Sequence, residues 1–185
     1  HQYVLSDDRY LVYDELNDQF IVPLPERLEA ILIDAETGES YKRYPWVDVV
    51  PQIQDAVADP NQGGALFTES GSVLRLEGND TVSVTGPLDS PILSQPHSTL
   101  SYDALNQHLY ASGTDSRYAR IDLADGSVSN FQYDGSLAKR AGSRVEMAWD
   151  MGANRLFFAS GSATGVEAVE PGGALLNHFP FHQPQ

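Results

Sequence analysis

Asp55, His97 and Glu146 are the side chains in this sequence best suited to act on something together. Two carboxylates and an imidazole can hold a hard divalent cation such as calcium, largely through oxygen, or can pass protons to and from a bound substrate. They lie far apart in the chain, and what relates them is a recurring aspartate at positions 14, 59, 103 and 150. Counting back four residues from each aspartate reaches Tyr10, Asp55, Thr99 and Glu146, and counting back six reaches Asp8, Ile53, His97 and Arg144. If the segments ahead of the aspartates run side by side, Asp55, His97 and Glu146 gather at one mouth. The same register suits polar groups that are solvated or that bridge one repeat to the next, so both readings stand.

Lys139, Arg140 and Arg144 place three of the eleven basic side chains in one short segment. Local positive charge in an acidic chain can receive a carboxylate or phosphate, while pairing with nearby acids at the surface is the plainer reading. Trp46, beside Pro45 in the connection between the first two repeats, can stack on a ligand from an exposed loop. His178 and His182 have a metal-like spacing, but Pro180 between them opposes the helix that would bring them together. His1 can bind copper only if it is a true mature terminus, and no second ligand can be named. The sequence carries no Gly-x-Ser-x-Gly elbow, phosphate-binding loop, dinucleotide fingerprint, His-Glu-x-x-His helix or EF-hand loop. Cysteine is absent, which excludes disulfides, thiolate metal sites and cysteine nucleophiles.

What must position these residues is the repeat itself. Tyr13-Asp14-Glu15-Leu16-Asn17-Asp18-Gln19-Phe20 returns as Tyr102-Asp103-Ala104-Leu105-Asn106-Gln107-His108-Leu109, with weaker copies at Ala58-Asp59-Pro60-Asn61 and Trp149-Asp150-Met151-Gly152-Ala153-Asn154. The aspartates are 45, 44 and 47 residues apart. A period of about 40 to 50 residues made of short strands is the mark of propeller blades.

The third repeat is the most legible. Ser98 to Tyr102 and Gln107 to Ser112 predict two strands around an Asp-Asn turn, whose short polar side chains cap their own backbone and tolerate left-handed conformations. Tyr118 to Leu123 and Ser127 to Tyr133 predict two more around the hairpin Ala124-Asp125-Gly126. The other repeats carry matching segments at Ile31–Asp34 and Glu39–Tyr44, Gly63–Thr68, Ser72–Leu76 and Thr81–Val84, and Arg155–Ala159, Gly165–Val169 and Ala174–Phe179. Helix is scarcely supported, the best candidate being one turn between Pro25 and Ile33. Trp149 shares its repeat position with Tyr13 and Tyr102 and is expected in the core. The expected fold is all-β, a β-propeller of four four-stranded blades near residues 8–50, 51–95, 96–141 and 142–182, within a single domain or propeller segment.

The run of aspartate turn, then Leu109-Tyr110-Ala111 or Leu156-Phe157-Phe158, then Ile33-Asp34 to Gly38 or Ile121-Asp122 to Gly126 resembles YVTN-type propeller repeats. That group is similar to lactonase-like and quinoprotein amine dehydrogenase β-chain-like domains. The resemblance implies a blade and not an activity, because its motifs are turn and core residues. No catalytic residue can be carried over from it.

Propellers of that group mostly have six to eight blades, and this chain supplies four repeats. It either closes as a compact ring, forms a segment of a larger propeller, or pairs with a second copy to make eight blades. An open arc leaves apolar faces in water at roughly 1.5 to 3 kcal/mol per large side chain, which favours association. Tyr3-Val4-Leu5 is placed to serve as an outer strand that closes the last blade or ends a missing one.

With 26 acidic and 11 basic residues the formal charge is −15, which repels nucleic acid and anionic lipid. No apolar run approaches the ~20 residues that span a bilayer. A chain that starts at His1 reads as a processed mature form or a piece of something longer, and the first favours an extracytoplasmic place, periplasmic or secreted. Three functions follow as expectations. The first is a non-catalytic binding or scaffold propeller with a protein partner or a second copy. The second is a metal-dependent hydrolase or lactonase with its site at the axis, and the third is a non-catalytic subunit of a redox complex.

Overall fold

The computed structural model describes residues 11–24, 29–45, 53–69, 72–76, 82–85, 88, 90–93, 99–113, 117–133, 135, 145–160 and 165–181. Among them there are sixteen strands in four separate antiparallel sheets, each a simple meander, and no helix. Blade 1 contains β1 (Val12–Asp14), β2 (Gln19–Leu24), β3 (Glu29–Asp34) and β4 (Ser40–Pro45). Blade 2 contains β5 (Ile53–Ala58), β6 (Ala65–Glu69), β7 (Ser72–Leu76) and β8 (Val82–Thr85). Blade 3 contains β9 (Leu100–Asp103), β10 (His108–Ser112), β11 (Arg117–Asp122) and β12 (Val128–Gln132). Blade 4 contains β13 (Val145–Asp150), β14 (Arg155–Ser160), β15 (Gly165–Val169) and β16 (Leu175–Pro180).

The turn chemistry explains why each repeat folds this way. The repeat aspartate accepts backbone N–H groups two or three residues on: Asp103 from Leu105 and Asn106, Asp59 from Asn61 and Gln62, and Asp150 from Gly152 and Ala153. The fourth residue after the aspartate then takes a left-handed conformation in every blade: Asp18 (φ 48°), Gly63 (φ 73°), Gln107 (φ 56°) and Asn154 (φ 51°). Such residues cost little there when they are Gly, Asn or Asp. The chain reverses, and the next strand pairs in a set register, with His108 opposite Asp103 and Arg155 opposite Asp150.

Two sequence expectations are corrected. Part of the segment expected to make a helical turn, Glu29 to Ile33, is strand, in ladder pairing with β2 on one side and β4 on the other. The alternation of Ala30, Leu32 and Ile31, Ile33 suits a pleated surface buried on both faces, and it wins over the helix-forming residues before it. Residues Pro25 to Leu28 of that segment lie outside the described residues. Gly63 and Gly64 precede β6 rather than beginning it, because both have positive φ.

Between consecutive sheets lies a separate apolar cluster. Val12, Ile21, Ala30 and Leu32 of blade 1 meet Ala65, Phe67, Leu74 and Leu76 of blade 2. Leu66 and Val73 meet Leu100, Leu109, Ala111 and Ile121 between blades 2 and 3. Tyr110, Tyr118 and Tyr133 meet Val145, Met147, Leu156, Phe158 and Val169 between blades 3 and 4. The innermost strands follow one another as β1, β5, β9 and β13. Four blades thus share three interfaces, and among the described residues no cluster joins blade 4 back to blade 1.

Candidate functional site

The inner strands are where the register places candidate chemistry. Asp55, on β5, is half-buried, and its Oδ2 accepts the Leu100 amide of blade 3 at 2.6 Å while Oδ1 accepts the Ala56 amide at 2.8 Å. One blade on, the equivalent Thr99 lies buried against Ser112, with their hydroxyl oxygens 2.7 Å apart and each 3.0 Å from the Val145 carbonyl of blade 4. Each hydroxyl is placed to donate to that carbonyl or to the other hydroxyl. Ser101 Oγ accepts the Trp149 amide at 2.7 Å. Inner strands too far apart for ladder bonding are therefore tied by side chains, which satisfies backbone groups that would otherwise be left unpaired.

Glu146, at the corresponding position of β13, is exposed. It and Asp55 sit on inner strands separated by β9. His97, the third member of the expected trio, lies outside the described residues, as do Lys139, Arg140, Arg144, Trp46, His1, His182 and the Tyr3-Val4-Leu5 segment. Among the described residues no group of three or more Asp, Glu or His side chains is placed to hold a metal ion.

Reading the sequence missed what the repeat aspartate does beyond its own turn. Asp14 is buried, and its carboxylate accepts the side-chain amides of Asn17 (2.8 Å) and Gln19 (2.7 Å). It also accepts the Gly64 amide of blade 2 at 2.7 Å. Burial works to raise its pKa, but the donors from Asn17, Gln19 and Gly64 outweigh that and hold the carboxyl below the usual range. Gly64 is required there: its φ is +83°, and a Cβ would meet the Leu76 carbonyl oxygen. The Gly63-Gly64 pair was the available signal. A similar tie runs from Asn61 Nδ2 to the Ala104 carbonyl of blade 3 at 2.6 Å.

The interface between blades 3 and 4 is aromatic. Tyr110 stacks on Trp149 at 5.2 Å and Tyr133 on Phe158 at 4.5 Å, Tyr118 meets Phe158 at 5.6 Å in a tilted contact, and the Tyr118 hydroxyl donates to the Pro171 carbonyl at 2.8 Å. Burial, with the nearby Asp103 charge, pushes the Tyr110 hydroxyl up to about 12 and Tyr118 higher still, again chiefly through burial. Trp149 is partly buried against this cluster, whereas Tyr13 at the same repeat position is 46% exposed and donates to Asp18 at 2.7 Å.

The fold is a β-propeller, and solved propeller structures align with nearly all of the chain. A catalytically inactive virginiamycin B lyase from Staphylococcus aureus, solved with quinupristin, matches with TM-score 0.70 and 14% identity over 99% of this chain and 59% of that one. A chain of a nidogen/laminin complex matches with TM-score 0.66 and 12% identity over 93% of this chain and 63% of that one. Hydrazine synthase from Kuenenia stuttgartiensis matches with TM-score 0.67 and 11% identity over 98% and 52%. At such identities the likeness is one of fold. The chain spans about half to three-fifths of the length of these structures. No protein-family model matches it, and no curated protein matches it in sequence.

Proposed function

We propose that this chain is a non-catalytic binding or scaffold propeller, working in the cell envelope or the secreted fraction through contacts with another protein. The observation that carries the reading is the apolar outer face of blade 4. There Phe179 is 41% exposed beside Phe157, with the partly buried Val166 opposite Phe179 in the ladder. A contiguous apolar surface of this kind marks association. The engagement of Asp55 with the Leu100 amide supports the same reading, since that carboxylate serves the join between blades. Among the described residues no helix is long and apolar enough to cross a membrane.

A screen of lactones and phosphoesters tests this, with and without chelator. The expected result is no turnover above buffer. Turnover abolished by Glu146→Gln and by exhaustive chelation overturns the scaffold reading and restores a metal-dependent hydrolase. Cell fractionation with an antibody to the chain tests the compartment, and a cytoplasmic pool alone removes the extracytoplasmic part of the proposal.

A further inference from the structure

We infer that the end of the blades carrying the β1–β2, β5–β6, β9–β10 and β13–β14 turns docks a cationic amphipathic segment of a partner protein. This surface is separate from the outer face of blade 4, and it rests on the binding reading above only for the kind of occupant. What points to it is the residue type at the turn tips. Hairpin tips stand in water and are ordinarily small or polar. Here Leu16, Leu105 and Met151 are 60%, 77% and 63% exposed in three of the turns, and Pro60 is exposed in the fourth. The turn itself does not call for leucine. Leu105 and Asn61, both two residues after the repeat aspartate, donate the same backbone amide to it.

Exposed apolar side chains scattered singly mean little, but these are joined. The turns of successive blades touch. Leu16 leans on the second turn, where a Cβ on Gly63 would stand 3.4 Å from its Cδ2. Asn61 Nδ2 reaches the Ala104 carbonyl of the third turn at 2.6 Å. In repeat terms the residue two after one aspartate meets the residue one after the next, and the equivalent steps set Leu16 toward Pro60 and Leu105 toward Met151. The tips thus form one strip across the blades, apolar on either side of a single polar link.

The occupant follows from charge. In blades 1 and 3 the outer turn is bonded to the inner one, Ala35 N to Asp18 O at 3.2 Å and Leu123 N to Gln107 O at 3.0 Å. The strip is therefore flanked by the carboxylates of both sets of turns, with Glu15, Asp18, Glu36, Glu39, Asp125 and Glu170 exposed. The cationic side chains beside these turns are already engaged: Arg75 lies 3.6 Å from Asp59, Arg155 3.0 Å from Asp150 and His108 3.8 Å from Asp122. An apolar strip between carboxylates repels an anionic partner and fits one that sets leucine-like side chains among lysines or arginines. A second copy of this chain, with its formal charge of −15, is disfavoured on the same ground.

Fluorescence anisotropy of a labelled synthetic peptide, with leucine along one helical face and lysine along the other, tests this on the 185-residue chain. Binding is expected, and it should weaken steeply from about 0.01 M to about 1 M salt as screening shortens. The same peptide with glutamate for lysine, or with serine for leucine, should bind at least about tenfold more weakly. Leu16→Ser and Leu105→Ser together are expected to weaken binding at least about tenfold. Gln132→Ser, at the opposite end of blade 3, should leave it unchanged. Circular dichroism checks the folding of the variants. If the leucine variant fails to fold, amide shifts in the wild type decide in its place, expected at Leu16, Leu105 and Met151 on adding the peptide. No binding overturns the inference, and so does binding that ignores the leucine substitutions. A serine-for-leucine peptide that binds as well overturns it too, by reducing the face to attraction between opposite charges. Shifts at these amides on concentrating the chain alone, with no response to the peptide, assign the face to a second copy and overturn it. Enzymatic turnover in the lactone and phosphoester screen sinks the scaffold reading whatever the peptide does, and a failure to bind without turnover sinks only this docking face.

Discussion

Two interfaces built from the same repeat hold together by different means. Blade 1 meets blade 2 through aliphatic side chains and Phe67, with a charged carboxylate, Asp14, reaching across to the Gly64 amide. Blade 4 meets blade 3 through stacked aromatic rings, with neutral hydroxyls from Tyr118, Thr99 and Ser112 on backbone carbonyls. The backbone problem is the same in both, namely how to satisfy groups at the edges of sheets that face each other but share no ladder. A carboxylate can take several donors at one point, whereas hydroxyls spread the donors over more positions. The repeat therefore constrains where a tie is made and leaves open which side chain makes it.

That contrast can be broken by removing its largest parts. Phe158→Ala and Phe67→Ala sit at the same repeat position, and each should cost about 3 to 5 kcal/mol by urea denaturation. Phe158 should lie at the upper end because Tyr133 and Tyr118 both lose a ring partner. The reverse order would mean that the aliphatic interface is the more tightly packed one.

Asp14→Ala leaves the Gly64 amide and the Asn17 and Gln19 side chains without their acceptor, and a loss of about 1 to 3 kcal/mol is expected. Gly64→Ala should cost a comparable amount, since it forces an unfavourable φ and drives a Cβ at the Leu76 carbonyl. A double mutant less destabilised than the sum of the two would show that they act through one tie. At the other interface Tyr118→Phe removes a single hydroxyl from the Pro171 and Glu170 carbonyls, and roughly 0.5 to 1.5 kcal/mol is expected.

The smallest effects are the most selective, because pH should address the two interfaces separately. The Asp14 carboxyl is held below its ordinary value in the folded chain, so its contribution is present above the unfolded carboxylate pKa of ~3.9. It is lost as pH falls from there through the folded value. Asp34 and Asp125, each lowered first by the backbone amide of Thr37 or Ser127, add to the acid side, so the Asp14 share is read from the difference between wild type and Asp14→Asn. Tyr110 is raised to about 12, chiefly by burial, so its contribution is complete below the ordinary value of ~10 and lost as pH rises toward about 12. Tyr118, Tyr102 and Tyr13 are raised as well and add to the alkaline side, so the Tyr110 share is read from the difference between wild type and Tyr110→Phe in a pH series of urea midpoints.

Much of this architecture was legible before any coordinate. The aspartates at 14, 59, 103 and 150 mark four turns because an Asp carboxylate can accept the amides two or three residues on, which is a local event. Gly165–Val169 and Ser72–Leu76 match the expected strand bounds for the same reason, being β-favouring runs between turn residues. Around Glu29 local signals pointed the wrong way, since pairing with β2 and β4 decided the conformation. Asp55 was located by register but not in role: nothing within its own repeat announces that the Leu100 amide, 45 residues on, lies within its reach.

The sequence alone determined the four aspartate turns and the number of four-stranded repeats, because those depend on hydrogen bonds and alternation within a few residues. Only the tertiary structure decided which face of each blade meets a neighbour, and that Tyr13 is exposed while Trp149 stacks on Tyr110. Identical repeats acquire different surroundings through their place in the arc. Burial is a relation between residues about one repeat apart, and no single repeat contains it.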